Sequence, residues 1–146
     1  MKVLDTVESV LREKSGEIWS IGPDSTVYEA LKIMSDKGIG ALLVMEGDKT
    51  VGVLSERDYA RKVILKNRSS RETKVQEIMN APPITISPDC TVDEAMQLVT
   101  DRRVRHLPVV DSMGRVRGII SIGDLVKWII TSHEKTIEQL QQYITG

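Results

Sequence analysis

Val27, Ala30, Leu31 and Met34 are spaced as one face of a helix, and Val92, Ala95, Met96 and Val99 repeat that spacing later in the chain. Before each lies turn chemistry, "PDST" and "PDCT", and before each turn a short β-type run, Ile18–Ile21 and Ile84–Ile86. After each predicted helix the apolar positions become continuous. "ALLVM" and "HLPVV" read as buried strands, "EGDKT" and "DSMGR" as hairpin turns, and "VGVLS" and "RGIIS" as return strands. The stretches "ERDYARKVIL" and "IGDLVKWII" then read as helices that start at Ser55 and Ser121. The predicted order is β-α-β-β-α, twice.

The two halves are copies of one unit. "SIGPDSTVYEALKIM" lies over "TISPDCTVDEAMQLV" with an offset of 65, and one residue added in the second hairpin takes the offset to 66. The expected division is an N-terminal helix over 1–17, a first repeat over 18–66, a linker over 67–82, a second repeat over 83–130 and a helical extension over 131–146. Val3, Leu4, Val7, Val10 and Leu11 give the first helix an apolar face. Ile130, Ile137, Leu140 and Ile144 carry the last helix past the second repeat. Neither flank is expected to belong to the repeat.

Composition narrows the function. The chain has 146 residues and a net charge of −1 with acids and bases interspersed, so nothing marks it for nucleic acid or an anionic membrane. Aromatics are few and Phe is absent, which leaves no stacking platform for single-stranded bases. Cys90 is the only cysteine, which suits a reducing compartment. The first residues do not resemble a signal or transit peptide, and no apolar run approaches the ~18 residues of a spanning helix. A soluble cytoplasmic protein is expected. His106, His133 and Cys90 lack metal-ligand spacing, so no metal is expected, and no nucleophile-and-base set points to an enzyme.

One sentence is written twice: "GVLSERD" and "GIISIGD", each Gly, two apolar residues, Ser, two more residues and Asp. Ser-x-x-acid at a helix start is close to a capping box, so a structural role is available. The same arrangement also suits a nucleotide. A hydroxyl at a helix N-terminus fits phosphate, and a carboxylate one turn along fits a ribose diol. Arg57 follows Ser55 closely enough to reach a phosphate, whereas Arg61 and the "RSSR" run of the linker read as a solvated face and a flexible loop. Cys90 stands where Ser25 stands in the other copy and reads as an inert thiol.

Ile18–Ile130 resembles a tandem pair of CBS domains, named after cystathionine β-synthase, through "PDSTVYEAL", "GVLSERD", "PDCTVDEAM", "RHLPVVD" and "GIISIGD". The resemblance implies an α+β fold in which two β-α-β-β-α repeats pack as a pseudo-twofold pair with flanking helices, and a homodimer. It implies a non-enzymatic module that binds an adenosine ligand (AMP, ADP, ATP, NAD or S-adenosylmethionine) in its clefts and signals to a partner protein. It places Ser55, Ser121, Asp58 and Asp124 at phosphate and ribose, Ile21 and Ile86 at the base, and Arg105 and His106 at phosphate. The first repeat has Gly40 and Ala41 where the second has Arg105 and His106, so unequal sites are expected, the tighter one joining Arg105 and His106 to Ser121 and Asp124. The competing reading is a structural dimerisation module with vestigial clefts.

Overall fold

The computed structural model describes residues 5–14 and 16–145. Val3 and Leu4, and the side chains of Ile137, Leu140 and Ile144, lie outside the described residues. After helix α1 (Val7–Glu13), the first repeat runs β1 (Ser20–Ile21), α2 (Val27–Lys37), β2 (Ala41–Glu46), β3 (Lys49–Ser55) and α3 (Glu56–Lys62). A 3₁₀ turn (Ile64–Lys66) and the short helix α4 (Val75–Ile78) lead to the second repeat. That repeat runs α5 (Val92–Arg102), β4 (His106–Val110), β5 (Val116–Ser121) and α6 (Ile122–Thr145).

In the first sheet β1 is parallel to β2, with Ile21 opposite Val44, and β2 is antiparallel to β3. The second sheet pairs β4 with β5 antiparallel. Its first strand is reduced to one parallel bridge, Ile86 opposite Val109, held by Ile86 N–H to Pro108 O at 3.0 Å and Val110 N–H to Ile86 O at 2.9 Å. Pro82 and Pro83 precede the bridge, and Pro108 stands where Leu43 pairs with β1 in the first sheet; all three lack the N–H groups that would lengthen it. The rest of the predicted β-α-β-β-α order is present in both halves.

Matched caps begin the central helices: Thr26 Oγ1 accepts Glu29 N–H at 3.1 Å and Thr91 Oγ1 accepts Glu94 N–H at 3.1 Å. Their C-terminal ends differ. Gly38 closes α2 in the left-handed region at φ 65°, and Arg103, 65 residues later, closes α5 there at φ 53°. A residue with a Cβ costs roughly 1 kcal/mol or more in that conformation.

Two cores form, and each takes its leading helix from outside its own repeat. Val7 and Val10 of α1 are buried with Val92, Ala95, Val99, Leu107 and Ile120 of the second repeat. Val75 and Ile78 of α4 are buried with Val27, Ala30, Leu42 and Leu54 of the first. The joints match: Val7 N–H donates to Cys90 O and Val92 N–H to Asp5 O, both at 2.8 Å, as Val27 N–H donates to Thr73 O and Val75 N–H to Ser25 O, both at 2.8 Å. So the N-terminal helix does have a counterpart, contrary to the expectation, and it lies in the linker. The glycine that opens each repeated sentence makes room for this helix. A Cβ on Gly52 would meet Met79 Sδ at 2.7 Å and Asn80 O at 2.9 Å, and one on Gly118 would meet Leu11 Cδ2 at 2.9 Å. The "RSSR" run is anchored, not free. Arg68 pairs with Glu77, Ser70 O accepts Tyr28 N–H at 2.9 Å, and the Arg71 guanidinium lies 3.9 Å from the Tyr28 ring centre.

Candidate functional site

The first Ser-x-x-Asp is a complete capping box. Asp58 N–H donates to Ser55 Oγ at 3.2 Å, while Asp58 Oδ2 accepts Ser55 N–H and the Ser55 hydroxyl, both at 2.9 Å. Asn80, just past α4, donates its amide to both Asp58 oxygens at 3.0 and 3.1 Å. Both Ser55 and Asp58 are buried.

The second copy repeats the cap, with Ser121 N–H to Asp124 Oδ2 at 2.8 Å and Asp124 N–H to Ser121 Oγ at 3.1 Å. Its external partner differs. Lys14, just past α1, places Nζ 2.7 Å from Asp124 Oδ2 and also donates to Ile119 O at 2.8 Å. Burial works to raise the Asp124 carboxyl, but the Lys14 and Ser121 hydrogen bonds outweigh it and hold the group below its ordinary value of 3.8.

Two clefts of about 470 Å³ each lie between the repeats, a size that suits a small-molecule ligand. The first joins Ser55, Arg57, Asp58, Arg61 and Asn80 to Ile84, Arg103, Val104, Arg105 and His106. The second joins Ser121, Asp124, Arg117 and Lys14 to Ile18, Trp19, Lys37, Gly40 and Ala41, and again touches His106. This corrects the expected pairing: Arg105 shares a cleft with Ser55 and Asp58, not with Ser121 and Asp124. The pseudo-twofold arrangement crosses the repeats, so each Ser-Asp pair faces the strand entry of the other half. Ile21 and Ile86 line neither cleft. Ile86 already sits at the bridge to Val109 and is covered by the core, and Ile21 packs against the other core. Ile18, Trp19 and Ile84, earlier in the same runs, take the lining positions.

The model of the CBS domain family matches residues 7–65 and 75–131. The chain belongs to the CBS-domain family. Over 149 aligned residues it is 39% identical to the CBS domain-containing protein CBSX3, mitochondrial, of Arabidopsis thaliana, an alignment covering 99% of this chain and 72% of that one. Among solved structures it resembles a CBS-domain protein of Burkholderia ambifaria MC40-6, with a TM-score of 0.82, 49% identity, and coverage of 86% of this chain and 94% of that one. It shares its fold with CBSX2, solved in complex with AMP, at a TM-score of 0.71 and 24% identity over 88% of this chain and 98% of that one. The matched segments begin at α1 and α4, the two helices that the CBS cores exchange.

The two CBS clefts differ in charge. The first is lined by four guanidinium groups, Arg57, Arg61, Arg103 and Arg105, against one carboxylate, Asp58. The salt bridges found among the described residues include none of these four arginines. Arg57 feels the crowding, since the charges of Arg105 and Arg61, with some desolvation, lower its pKa. The second cleft has Lys14, Lys37 and Arg117 against Glu17 and Asp124. Each of its cations is already engaged: Lys14 with Asp124, Arg117 with Glu8 at 3.4 Å, and Lys37 over the Trp19 ring at 4.3 Å. His106, between the clefts, is pushed below 6.5 by burial first and by Lys14 second, against the pull of Asp124 and Asp58. Cys90 is raised by burial and by Glu94, as befits an unreactive thiol.

Arg103, Asn80, Lys14 and Trp19 were not among the residues the sequence singled out. Arg103 carries a signal in hindsight, because it replaces Gly38 of the other copy. Asn80 and Lys14 became legible only with the exchange of leading helices. Among the described residues no three or more His, Cys, Asp or Glu side chains converge as a metal site, and no helix is long and apolar enough to cross a membrane.

Proposed function

We propose that this CBS pair is a non-enzymatic regulatory module that binds an adenine nucleotide and signals to a protein partner. The observation that carries this reading is the crossed composition of the first cleft. Asp58 and Ser55 of one repeat supply a ribose end, and Arg105, His106, Arg57 and Arg103 supply a phosphate end. Ribose hydroxyls would replace the Asn80 amide on Asp58, a neutral donor exchanged for neutral donors. Ile84 and Val104 offer an apolar wall to the base. A ligand bound there touches both repeats, so binding biases their relative packing, which a partner can read. The second cleft, with Gly40 and Ala41 in place of Arg105 and His106 and with its own cations already engaged, is the weaker site. We place the module in the cytoplasm as a homodimer. Ile64 and Ile130, 66 residues apart in equivalent positions after Ser55 and Ser121, are both more than half exposed and give the pair matching apolar surfaces for a second copy.

The competing reading, a structural module, draws on one fact: both Ser-Asp pairs are already satisfied as caps. A thermal-shift series with AMP, ADP, ATP, NAD and S-adenosylmethionine separates the two. At 100 times its Kd a ligand adds about 2.7 kcal/mol, a rise on the order of 5 °C for a chain of this size. No shift with any of the five would favour the structural module.

A further inference from the structure

We infer that the first cleft selects an adenosine di- or triphosphate over the monophosphate; this deepens the nucleotide reading above and rests on it. The cleft holds four guanidinium groups and a single carboxylate, Asp58, which is itself already hydrogen-bonded by Ser55 and Asn80. Over the whole chain acids and bases nearly cancel, 21 against 20, so a lining with an excess of three cations is a local departure. The second cleft supplies an internal comparison. It has the same size and pseudo-symmetric construction, yet its cations exceed its acids by one, and all three have partners.

Placement agrees with charge. Arg57 and Arg61 project from successive turns of α3, about 6 Å apart along its axis. Arg103 and Arg105 come from the opposite wall, between α5 and β4. Asp58 anchors the ribose beside Arg57, so a phosphate chain leaving it toward Arg61 runs between the two walls. One phosphate cannot serve both helical turns and both walls, whereas two or three can. A terminal phosphate brings about −1.5 to −2 at pH 7. Each further anhydride phosphate adds a negative charge, which brings the ligand up to or beyond the cationic excess of the lining. Guanidinium forks are suited to the oxygens of such a chain.

Arg103 offers a clean test. It holds a left-handed conformation, φ 53°, that glycine adopts freely and that Gly38 adopts in the other repeat, so Arg103→Gly removes the charge without straining the backbone. Isothermal titration in magnesium-free buffer with adenosine, AMP, ADP, ATP and inorganic triphosphate reads the selection. ADP and ATP are expected to bind about tenfold or more tightly than AMP, as one further charged hydrogen-bonding group implies. ATP affinity is expected to fall more steeply with salt than AMP affinity. Arg103→Gly is expected to weaken ATP about tenfold and AMP by less, with no loss in melting temperature. AMP binding as tightly as ATP, or Arg103→Gly weakening both equally, would overturn the selection and leave the nucleotide reading intact. Inorganic triphosphate matching ATP, or no nucleotide binding at all, would overturn the nucleotide reading itself.

Discussion

Lys14 Nζ lies 2.7 Å from Asp124 Oδ2, where the equivalent carboxylate in the other repeat, Asp58, holds the amide of Asn80 at 3.0 Å. Each partner follows an exchanged leading helix; Lys62 Nζ also stands 3.8 Å from Asp58 Oδ1, beyond hydrogen-bond reach, so the close external contact is neutral at Asp58 and charged at Asp124. A ribose can displace an amide at little net cost, because one neutral donor replaces another. Displacing an ammonium group gives up a charge-assisted bond.

Lys14→Met is therefore expected to strengthen nucleotide binding in the second cleft, raising the number of titratable sites per chain while leaving the first site's affinity within about threefold. Calorimetric stoichiometry checks this. The same variant alters acid stability. The Asp124 carboxyl is held below 3.8 when folded, so it contributes stability above that value, and the contribution is lost as pH falls through the folded pKa. Without Lys14 that loss should begin at higher pH in denaturant titrations.

His106 gives a second pH dependence, of opposite use. Burial and Lys14 keep the imidazole neutral further below 6.5 than usual. The unfolded chain takes up the proton first, so stability is full above 6.5 and declines as pH falls toward the folded pKa. An anion in the cleft, beside Arg105, reverses the balance and favours the imidazolium. ATP binding should then be coupled to proton uptake on the acid side of neutrality, and His106→Asn should remove the imidazole's share of that coupling. The terminal phosphate also titrates near pH 6. The difference between parent and variant, measured in buffers of different ionisation enthalpy, is the quantity to read.

Gly52→Ala tests the exchanged helix. The added Cβ would meet backbone oxygen of Asn80 at 2.9 Å and Met79 Sδ at 2.7 Å, so α4 and Asn80 must shift. A loss of about 1–3 kcal/mol in urea unfolding is expected. Because Asn80 also holds Asp58, nucleotide affinity should change with it.

How far the sequence could be read follows from which relations are local. The strands, central helices and both Ser caps follow from spacing within a few residues, and Thr26, Thr91, Ser55 and Ser121 all start helices where the pattern places them. The second copy's first strand fell short because three prolines removed its donors. The exchange of α1 and α4 was hidden because "VESVLRE" and "VQEI" share little beyond apolar spacing, and the offset between them, 68, departs from the 65 and 66 of the repeats. That exchange in turn hid Lys14 and Asn80. The pairing of Arg105 with Ser121 failed because a linear repeat suggests that a copy completes its own site, whereas the pseudo-twofold axis crosses them.

The crossed first cleft is tested most directly by titrating ATP into Asp58→Asn, Arg105→Ala and Asp124→Asn, each first shown to fold by circular dichroism. Asn at position 58 keeps an acceptor for the cap and removes the charge. The tight site should weaken about tenfold or more in Asp58→Asn and in Arg105→Ala, and stay within about threefold of the parent in Asp124→Asn. A tight site lost in Asp124→Asn and untouched in Asp58→Asn would contradict the account.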